Sequence, residues 1–170
     1  MNVFRLGQQP HIASTAGLGG LYSDGRWHKL GSPVLYTSAH LSLAKLEVLA
    51  NAPALPEGYF ALTLEIPNTA STSYLEVNNL PKSWLEMPYS NATMQLGETW
   101  LREGEFWLLR VPSAQSPTEY NYLLNPLHPE HKTLRVVSLE PHPFDTRLKP
   151  PAATAAPAPP GSGPPPAPQS

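Results

Sequence analysis

The stretch VLYTSAHLSLAKLEVLA, residues 34–50, decides the fold class because it joins a predicted strand directly to a predicted helix. Residues 34–37 are apolar or β-branched and follow a Gly-Ser-Pro turn, which is typical of a short strand. Ser38 is a favourable helix N-cap, and residues 39–50 contain neither Gly nor Pro. Pro53 prevents the helix from continuing. We therefore predict a strand followed at once by a helix over 39–50.

Outside this unit, strand and helix patterns follow one another without regular alternation. The clearest strand pattern is 59–66, where every second residue is large and apolar. The other predicted strands are 3–6, 105–111 and 133–139, and the other predicted helices are 80–85 and 92–102. Because strands and helices are mixed without a repeating β-α unit, we predict the α+β class.

The end of the chain differs in composition from the rest. Residues 150–170 hold nine of the 22 prolines and no charged or large apolar side chain. Such a segment cannot bury enough surface to offset its ordering entropy, so a disordered tail is predicted. The folded domain is accordingly expected to span residues 1–149.

Charge and composition exclude several classes of protein. The formal net charge is −2 and there is no basic run, which argues against a surface that binds nucleic acid directly. The apolar stretches are too short to cross a bilayer, and the N-terminus lacks the pattern of a signal peptide. There is no cysteine, so disulfides and thiolate chemistry are excluded. These features favour the cytoplasm and no membrane contact.

Glu47 is the first candidate for chemistry. Its neighbours on the predicted helix are Leu43, Ala44, Ala50 and Asn51, and most of the remaining helix is apolar. The helix therefore reads as buried all round, and a buried carboxylate must be paired, protonated or turned towards a cleft. A catalytic carboxylate and a solvent-exposed residue at the helix rim both remain open.

Three further side chains suit a binding site for an anionic or flat ligand. Arg26, next to a glycine and a tryptophan, suits a phosphate or carboxylate group, unless it pairs with Asp24 in a surface turn. Arg5 alternates with apolar neighbours on the first strand, so it faces either a cleft or solvent. Tyr36 could stack on a ligand ring or belong to the core.

Two residues in the second half of the predicted domain, Ser113 and Asn121, are weaker candidates for the site. Ser113 follows a strand end, where sites and turns are both common, and Asn121 reads as turn chemistry. Residues 116–119 form a capping-box pattern that predicts the start of a helix. His128 and His131 are separated by a proline and have no third ligand in sight, so we expect no metal site.

Taken in order along the chain, these segments resemble the RES domain family. The matching segments are 25–28, 34–38, 43–49, 109–113, 119–129 and 144–148, within a resemblance that covers residues 3–148. The family is named for an Arg, a Glu and a Ser, which Arg26, Glu47 and Ser113 match here. Two positions depart from the family pattern: Asn51 stands where a His is frequent, and His28 stands where an Asn is more usual.

The resemblance implies a fold and a function. It implies an ADP-ribosyltransferase-like arrangement of β-sheets around a cleft that holds NAD⁺ as a substrate, with no further cofactor. It implies the toxin of a type II toxin–antitoxin pair that depletes NAD⁺ by hydrolysis or phosphorolysis. The implied partner is an antitoxin with a helix-turn-helix domain, and a homodimer is a further expectation. Protein ADP-ribosylation and a non-catalytic, antitoxin-binding module are the alternatives.

The resemblance also assigns roles to residues. Glu47 would stabilise the positive charge that develops as the nicotinamide–ribose bond breaks, or would orient the ribose hydroxyls. Arg26 or Arg5 would hold the diphosphate, and Tyr36 would stack on the nicotinamide ring. Ser113 would hydrogen-bond the nicotinamide amide or a ribose hydroxyl, and Asn121 is placed with the NAD⁺-binding residues.

Overall fold

The computed structural model describes residues 1–148, so the tail predicted over 150–170 lies outside the described residues. Two helices and seven strands are connected by loops and short 3₁₀ turns within this range. In chain order they are β1 (Asn2–Gln8), β2 (Leu35–Ser38), α1 (Leu41–Asn51), β3 (Tyr59–Glu65), β4 (Thr72–Tyr74), α2 (Asn91–Glu103), β5 (Leu108–Pro112), β6 (Tyr120–Leu124) and β7 (Arg135–Pro141). None of the helices in this range is long and apolar enough to cross a membrane.

The strands form one mixed seven-stranded sheet in the order β4-β5-β6-β2-β1-β3-β7. β4 and β5 are parallel, and every other neighbouring pair is antiparallel. β1 pairs with β3 along its whole length but with β2 only at Phe4, opposite Ser38. The sheet therefore has two halves, β4-β5-β6-β2 and β1-β3-β7, which diverge beyond the single pair of Phe4 and Ser38. We call the place where β1 and β2 meet the join. The predicted α+β class is confirmed, and the cleft expected between sheets opens at this join within one sheet.

The core lies on both faces of the sheet. Leu108 and Leu124 belong to one apolar cluster, and their neighbours Leu109 and Leu123 belong to a second. Because adjacent strand residues point to opposite faces, these clusters lie on opposite sides of the sheet. α2 covers the second cluster through Trp100, whereas α1 packs with β1 in a third, smaller cluster. α1 also contacts β2, so it lies against both strands that meet at the join.

The strand–helix unit forms, but its details differ from the prediction. Ser38 is not the N-cap: it ends β2, and its hydroxyl donates to Asn121 Oδ1 instead. α1 begins at Leu41, after His40, which makes no side-chain capping hydrogen bond. The expectation of a helix buried all round is also wrong, since Leu46 is 46% exposed. Packing against β1 covers one face of α1 and leaves the other in solvent.

Other helix predictions have mixed outcomes. The helix predicted over 92–102 is confirmed as α2, where Ser90 Oγ accepts from the Ala92 amide. The segment 80–85 forms only 3₁₀ turns, and 116–119 starts no helix. Instead, the amide of Ser113 donates to Glu119 O and closes the hairpin into β6, a strand the sequence pattern missed. Pairing of β6 with both β2 and β5 overrides the local capping signal.

One half-buried histidine, His131, makes stability depend on pH. His131 Nδ1 accepts from the indole of the fully buried Trp107 at 3.1 Å, and its Nε2 donates to Thr15 O at 3.1 Å. The bond from Trp107 requires the neutral ring, because a protonated Nδ1 cannot accept. Burial lowers the pKa of His131, and the bond to Thr15 O acts in the opposite direction. The unfolded chain therefore takes up the proton more readily, so stability is full above about pH 6.5 and is lost as the pH falls further.

We expect the His131→Gln variant to unfold more easily at pH 7.5 by about 1 kcal/mol, because the indole donor of Trp107 loses a well-placed acceptor. Its stability should also fall less steeply than that of the wild type between about pH 7 and pH 5. Urea unfolding at several pH values measures both effects. Parallel pH profiles of the two proteins would contradict the assignment of a neutral His131.

Candidate functional site

A cavity of about 750 Å³ opens at the join between the two halves of the sheet. Its walls come from β1, β2, α1, the loop that carries residues 25–28 and the segment 85–89. Of the residues predicted from sequence, Arg5, Arg26, Tyr36, Glu47 and Asn121 line it. The volume lies within the usual range for small-molecule and cofactor sites.

Glu47 is held in the cavity by two donors on the sheet. Ser113 Oγ donates to Glu47 Oε1 at 2.7 Å, and Asn121 Nδ2 donates to the same oxygen at 2.6 Å. Ser38 Oγ donates to Asn121 Oδ1 at 2.7 Å, which turns the amide so that its NH₂ faces Glu47. Within residues 1–148 no hydrogen bond reaches the other carboxylate oxygen, Oε2. One oxygen is therefore fixed by the protein and the other is left for a ligand.

Strand register explains why these residues meet. Ser38 on β2 lies directly opposite Asn121 on β6, and Val111 on β5 also lies opposite Asn121. Ser113 follows Val111 by two residues and so points to the same side of the sheet. Residues far apart in sequence thus form one polar group beneath α1.

Ser113 is not at the surface of the cavity. It is fully buried, and its hydroxyl oxygen also accepts from the amides of Gln115 and Ser116 at 3.0 and 3.3 Å. The structure therefore places Ser113 behind Glu47, in contact with the carboxylate. The expected contact with a nicotinamide or ribose group is not available in this position.

Arg26 faces the cavity from the loop before β2. Its Nη1 donates to the carbonyls of Trp84 and Glu86, and its guanidinium lies 5.2 Å from the centre of the Tyr89 ring. The alternative pairing with Asp24 does not form, because Asp24 Oδ1 accepts from the Leu30 amide at 2.7 Å. Arg26 is thus oriented by backbone carbonyls and an aromatic ring while its charge stays uncompensated by a carboxylate.

Arg5 contributes a second positive charge. Its Nη1 donates to Ser14 O at 3.0 Å, and burial lowers its pKa. In the part of the chain that the structure describes, neither Arg5 nor Arg26 forms an ion pair with a carboxylate. Two unpaired guanidinium groups in the wall of one cavity favour a ligand with a phosphate or diphosphate group.

Tyr36 lines the cavity and is fixed through its hydroxyl. The Tyr36 oxygen lies 2.7 Å from His28 Nδ1 and accepts from the Trp27 amide at 3.3 Å. Burial raises the pKa of Tyr36, so the hydroxyl stays protonated. The sequence marked His28 only as a departure from the family pattern. The signal for its role was its position in the segment Gly25-Arg26-Trp27-His28, two residues after Arg26.

Asn51 stands at the end of α1, on the wall of the cavity. Its Nδ2 donates to the backbone carbonyl of Glu47 at 2.8 Å, one helical turn earlier. The side chain therefore caps the helix end and is exposed to solvent. Across residues 1–148, no group of three or more His, Asp or Glu side chains is arranged to hold a metal ion.

The fold and the cleft define a small α+β protein whose cavity is lined by two arginines and a glutamate. The family model for the RES domain matches residues 2–147, almost all of the described chain. The chain belongs to the RES domain family.

Relatives of known name support this assignment. A protein of Photorhabdus laumondii called Toxin Res is 33% identical over 152 residues, which cover 87% of this chain and 97% of that protein. The Toxin Res of Pseudomonas putida is 36% identical, with 80% of this chain and 93% of that protein covered. A Sphingobium protein called Prs ADP-ribosylating toxin is 30% identical, with 78% and 85% covered.

Among solved structures, the fold is similar to a chain of the MbcT–MbcA toxin–antitoxin complex of M. tuberculosis. The TM-score is 0.68 and the alignment covers 84% of both chains. Sequence identity is only 13%, so this likeness concerns the fold.

Proposed function

We propose that this chain is the toxin of a toxin–antitoxin pair and that it consumes NAD⁺ by cleaving the nicotinamide–ribose bond. The observation that carries the proposal is Glu47, fixed through one oxygen and open through the other, in a cavity with two unpaired arginines. Relatives named as toxins support the biological role.

The geometry suggests how the substrate would lie. Arg26 and Arg5 would bind the diphosphate, since a guanidinium donates two parallel hydrogen bonds to phosphate oxygens. The Tyr36 ring would lie against the flat nicotinamide. Glu47 Oε2 would face the ribose, where a negative charge stabilises the oxocarbenium-like transition state. Ser113 and Asn121 would act through Glu47, because both donate to its other oxygen.

The leaving group, nicotinamide, determines which catalytic groups the reaction needs. When the bond to C1′ of the ribose breaks, nicotinamide leaves with the bonding electron pair and becomes a neutral base. No general acid is needed, and the sugar carbon is then attacked by water or by phosphate. The residues described here fit either acceptor, so the acceptor must be measured.

The decisive experiment measures nicotinamide release from NAD⁺ by the purified chain, with and without inorganic phosphate. Release that needs phosphate indicates phosphorolysis, and release in its absence indicates hydrolysis. A folded protein that releases no nicotinamide under either condition would contradict the proposal. It would favour a transferase that needs a protein acceptor or a non-catalytic module that binds an antitoxin.

Protein ADP-ribosylation is the second candidate, and the name of the Sphingobium relative favours it. The same cleft would bind NAD⁺, and a side chain of a target protein would replace water or phosphate as the acceptor. Incubation with NAD⁺ labelled in the adenylate part separates the two. Label on protein indicates transfer, whereas label only on small molecules indicates NAD⁺ depletion.

An antitoxin partner is proposed from the structural neighbour, which is a toxin–antitoxin complex. The rim of the cavity offers an apolar contact, since Leu85 and Met87 are 50% and 66% exposed. A helix-turn-helix domain in that partner, a homodimer of this chain and a cytoplasmic location remain part of the proposal. Copurification with the product of the adjacent gene tests the partner.

In the Arg26→Ala variant we expect the KM for NAD⁺ to rise about 10- to 100-fold, with a smaller change in kcat. The loss of one charged donor to the diphosphate weakens ground-state and transition-state binding alike. Arg102→Ala is the matched control, because Arg102 is exposed on α2 and away from the cavity. An unchanged KM in a folded Arg26→Ala protein would remove Arg26 from the binding site.

A further inference from the structure

His28 is a buried histidine beside the cavity that the proposed reaction does not use. Only 4% of it is exposed, and its ring is tilted against that of Tyr36, with 5.3 Å between the ring centres. Its Nε2 lies 3.1 Å from Ser23 O, and its Nδ1 lies 2.7 Å from the Tyr36 hydroxyl.

These contacts determine where the protons lie. A carbonyl oxygen only accepts, so Nε2 of His28 carries a hydrogen and donates to Ser23 O. In the neutral ring Nδ1 then accepts, and the Tyr36 hydroxyl donates to it. The Tyr36 oxygen in turn accepts from the Trp27 amide. Every donor and acceptor in this chain of hydrogen bonds is satisfied.

His28 also shapes the turn that presents Arg26. The backbones of Gly25 and His28 pair across the turn, with Gly25 N donating to His28 O at 3.0 Å. A Cβ at position 25 would lie 2.3 Å from His28 Cε1, so the imidazole occupies the space that only glycine leaves free. The position of Arg26, between these two residues, therefore depends on the same ring.

A proton on His28 would break this arrangement. With both ring nitrogens protonated, Nδ1 becomes a donor and competes with the Trp27 amide for the Tyr36 oxygen. The hydrogen of the Tyr36 hydroxyl then loses its acceptor inside the protein, which is costly for a buried group.

Burial is the main influence on His28 and lowers its pKa. The Ser23 carbonyl and the carboxylates of Glu98 and Asp24 act in the opposite direction. Both carboxylates are engaged by backbone amides, those of Lys29 and Leu30 respectively. The remaining ionisable groups that face this network are Arg26 and Tyr89, which act on Tyr36.

We propose that neutral His28 is a positioning residue for NAD⁺, holding the Tyr36 ring and the Arg26 turn in the geometry that binds the substrate. This inference rests on the proposed function and adds a condition to it: the cleft binds NAD⁺ fully only while His28 is unprotonated. Acidification would then weaken binding without protonating any residue that touches the substrate.

The expected signature is a pH-dependent dissociation constant. Once the pH falls below the pKa of His28, the competent fraction decreases about tenfold for each pH unit, and the apparent Kd rises by the same factor. Calorimetric titration of NAD⁺ from about pH 5 to pH 8 measures it. The Glu47→Gln background prevents turnover during the measurement.

His28→Gln is the main test variant, because the Gln side chain can accept from Tyr36 but cannot titrate. In the Glu47→Gln background, we expect the Kd of His28→Gln for NAD⁺ to stay constant over the pH range in which the Kd of the Glu47→Gln parent rises. His131→Gln is the matched control: it removes a second neutral histidine, which is half-buried and does not line the cavity. It should keep the rise in Kd at low pH that the parent shows, which we call the acid limb. If His28→Gln fails to fold, Tyr36→Phe replaces it, since the ring without a hydroxyl no longer responds to the proton on His28.

The outcomes separate this inference from the proposed function. An acid limb of parental size in His28→Gln or Tyr36→Phe would overturn the inference while NAD⁺ binding itself stands. Loss of the limb in His131→Gln as well would also overturn it, because a general change in the protein would then be the cause. No NAD⁺ binding by any variant at any pH would contradict the proposed function first, and this inference with it.

Discussion

In the Glu47→Gln variant we expect nicotinamide release to fall by about 100- to 1,000-fold, mainly in kcat. Gln keeps the length of the side chain and its oxygen can accept from Ser113 and Asn121, as Glu47 Oε1 does. It lacks the negative charge that faces the sugar as positive charge develops there. The interaction lost therefore exists mainly in the transition state, and KM should change little.

The measurement is a steady-state assay of nicotinamide release at several NAD⁺ concentrations, with thermal unfolding of both proteins alongside. Glu103→Gln is the matched control, since Glu103 is an exposed carboxylate at the end of α2. It should leave activity unchanged. Full activity in a folded Glu47→Gln protein would remove the carboxylate from the mechanism.

The second large effect concerns stability. We expect Gly97→Ala to lower the free energy of unfolding by about 3 kcal/mol or more. Gly97 on α2 packs so closely on the loop before β2 that an added Cβ would lie 1.7 Å from Trp27 O and 2.7 Å from Trp27 C. Alanine is the better helix former by only about 1 kcal/mol, which is too little to offset this overlap with backbone atoms.

Urea unfolding compares the two proteins, and Gly19→Ala is the control because an added Cβ there would meet nothing within 4 Å. That control should change stability by less than about 0.5 kcal/mol. The Trp27 amide donates to Tyr36, so a folded Gly97→Ala protein should also bind NAD⁺ less well. Wild-type stability in Gly97→Ala would show that α2 does not pack on this loop.

Local sequence patterns predicted what depends on neighbours along the chain. The long apolar segment without Gly or Pro became α1, and the segment 92–102 became α2 because Ser90 and Gly104 cap its two ends. Local patterns gave wrong predictions where pairing between strands distant in sequence determines the structure. Ser38 looks like a helix cap in sequence, yet Asn121, which lies opposite it in the sheet, takes its hydroxyl.

The candidate site was predicted only in part by local physics. Glu47, Arg26 and Tyr36 each had an ordinary explanation when taken singly, and it was their order along the chain that pointed to a common site. The contact of Glu47 with Ser113 spans 66 residues and depends on the β5–β6 hairpin, so no local pattern contains it. The role of His28 was equally hidden, since its partners Ser23 and Tyr36 meet only through the turn at Gly25.

The narrow join in the sheet gives Glu47 a second consequence. α1, which carries Glu47, packs with the half of the sheet that contains β1, whereas Ser113 and Asn121 belong to the half that contains β5 and β6. At the join, β1 and β2 share a single residue pair, Phe4 and Ser38. The Glu47 carboxylate therefore connects two halves of the sheet that share only one backbone pair at the join. The same two hydrogen bonds thus fix the position of the negative charge and link α1 to the other half of the sheet.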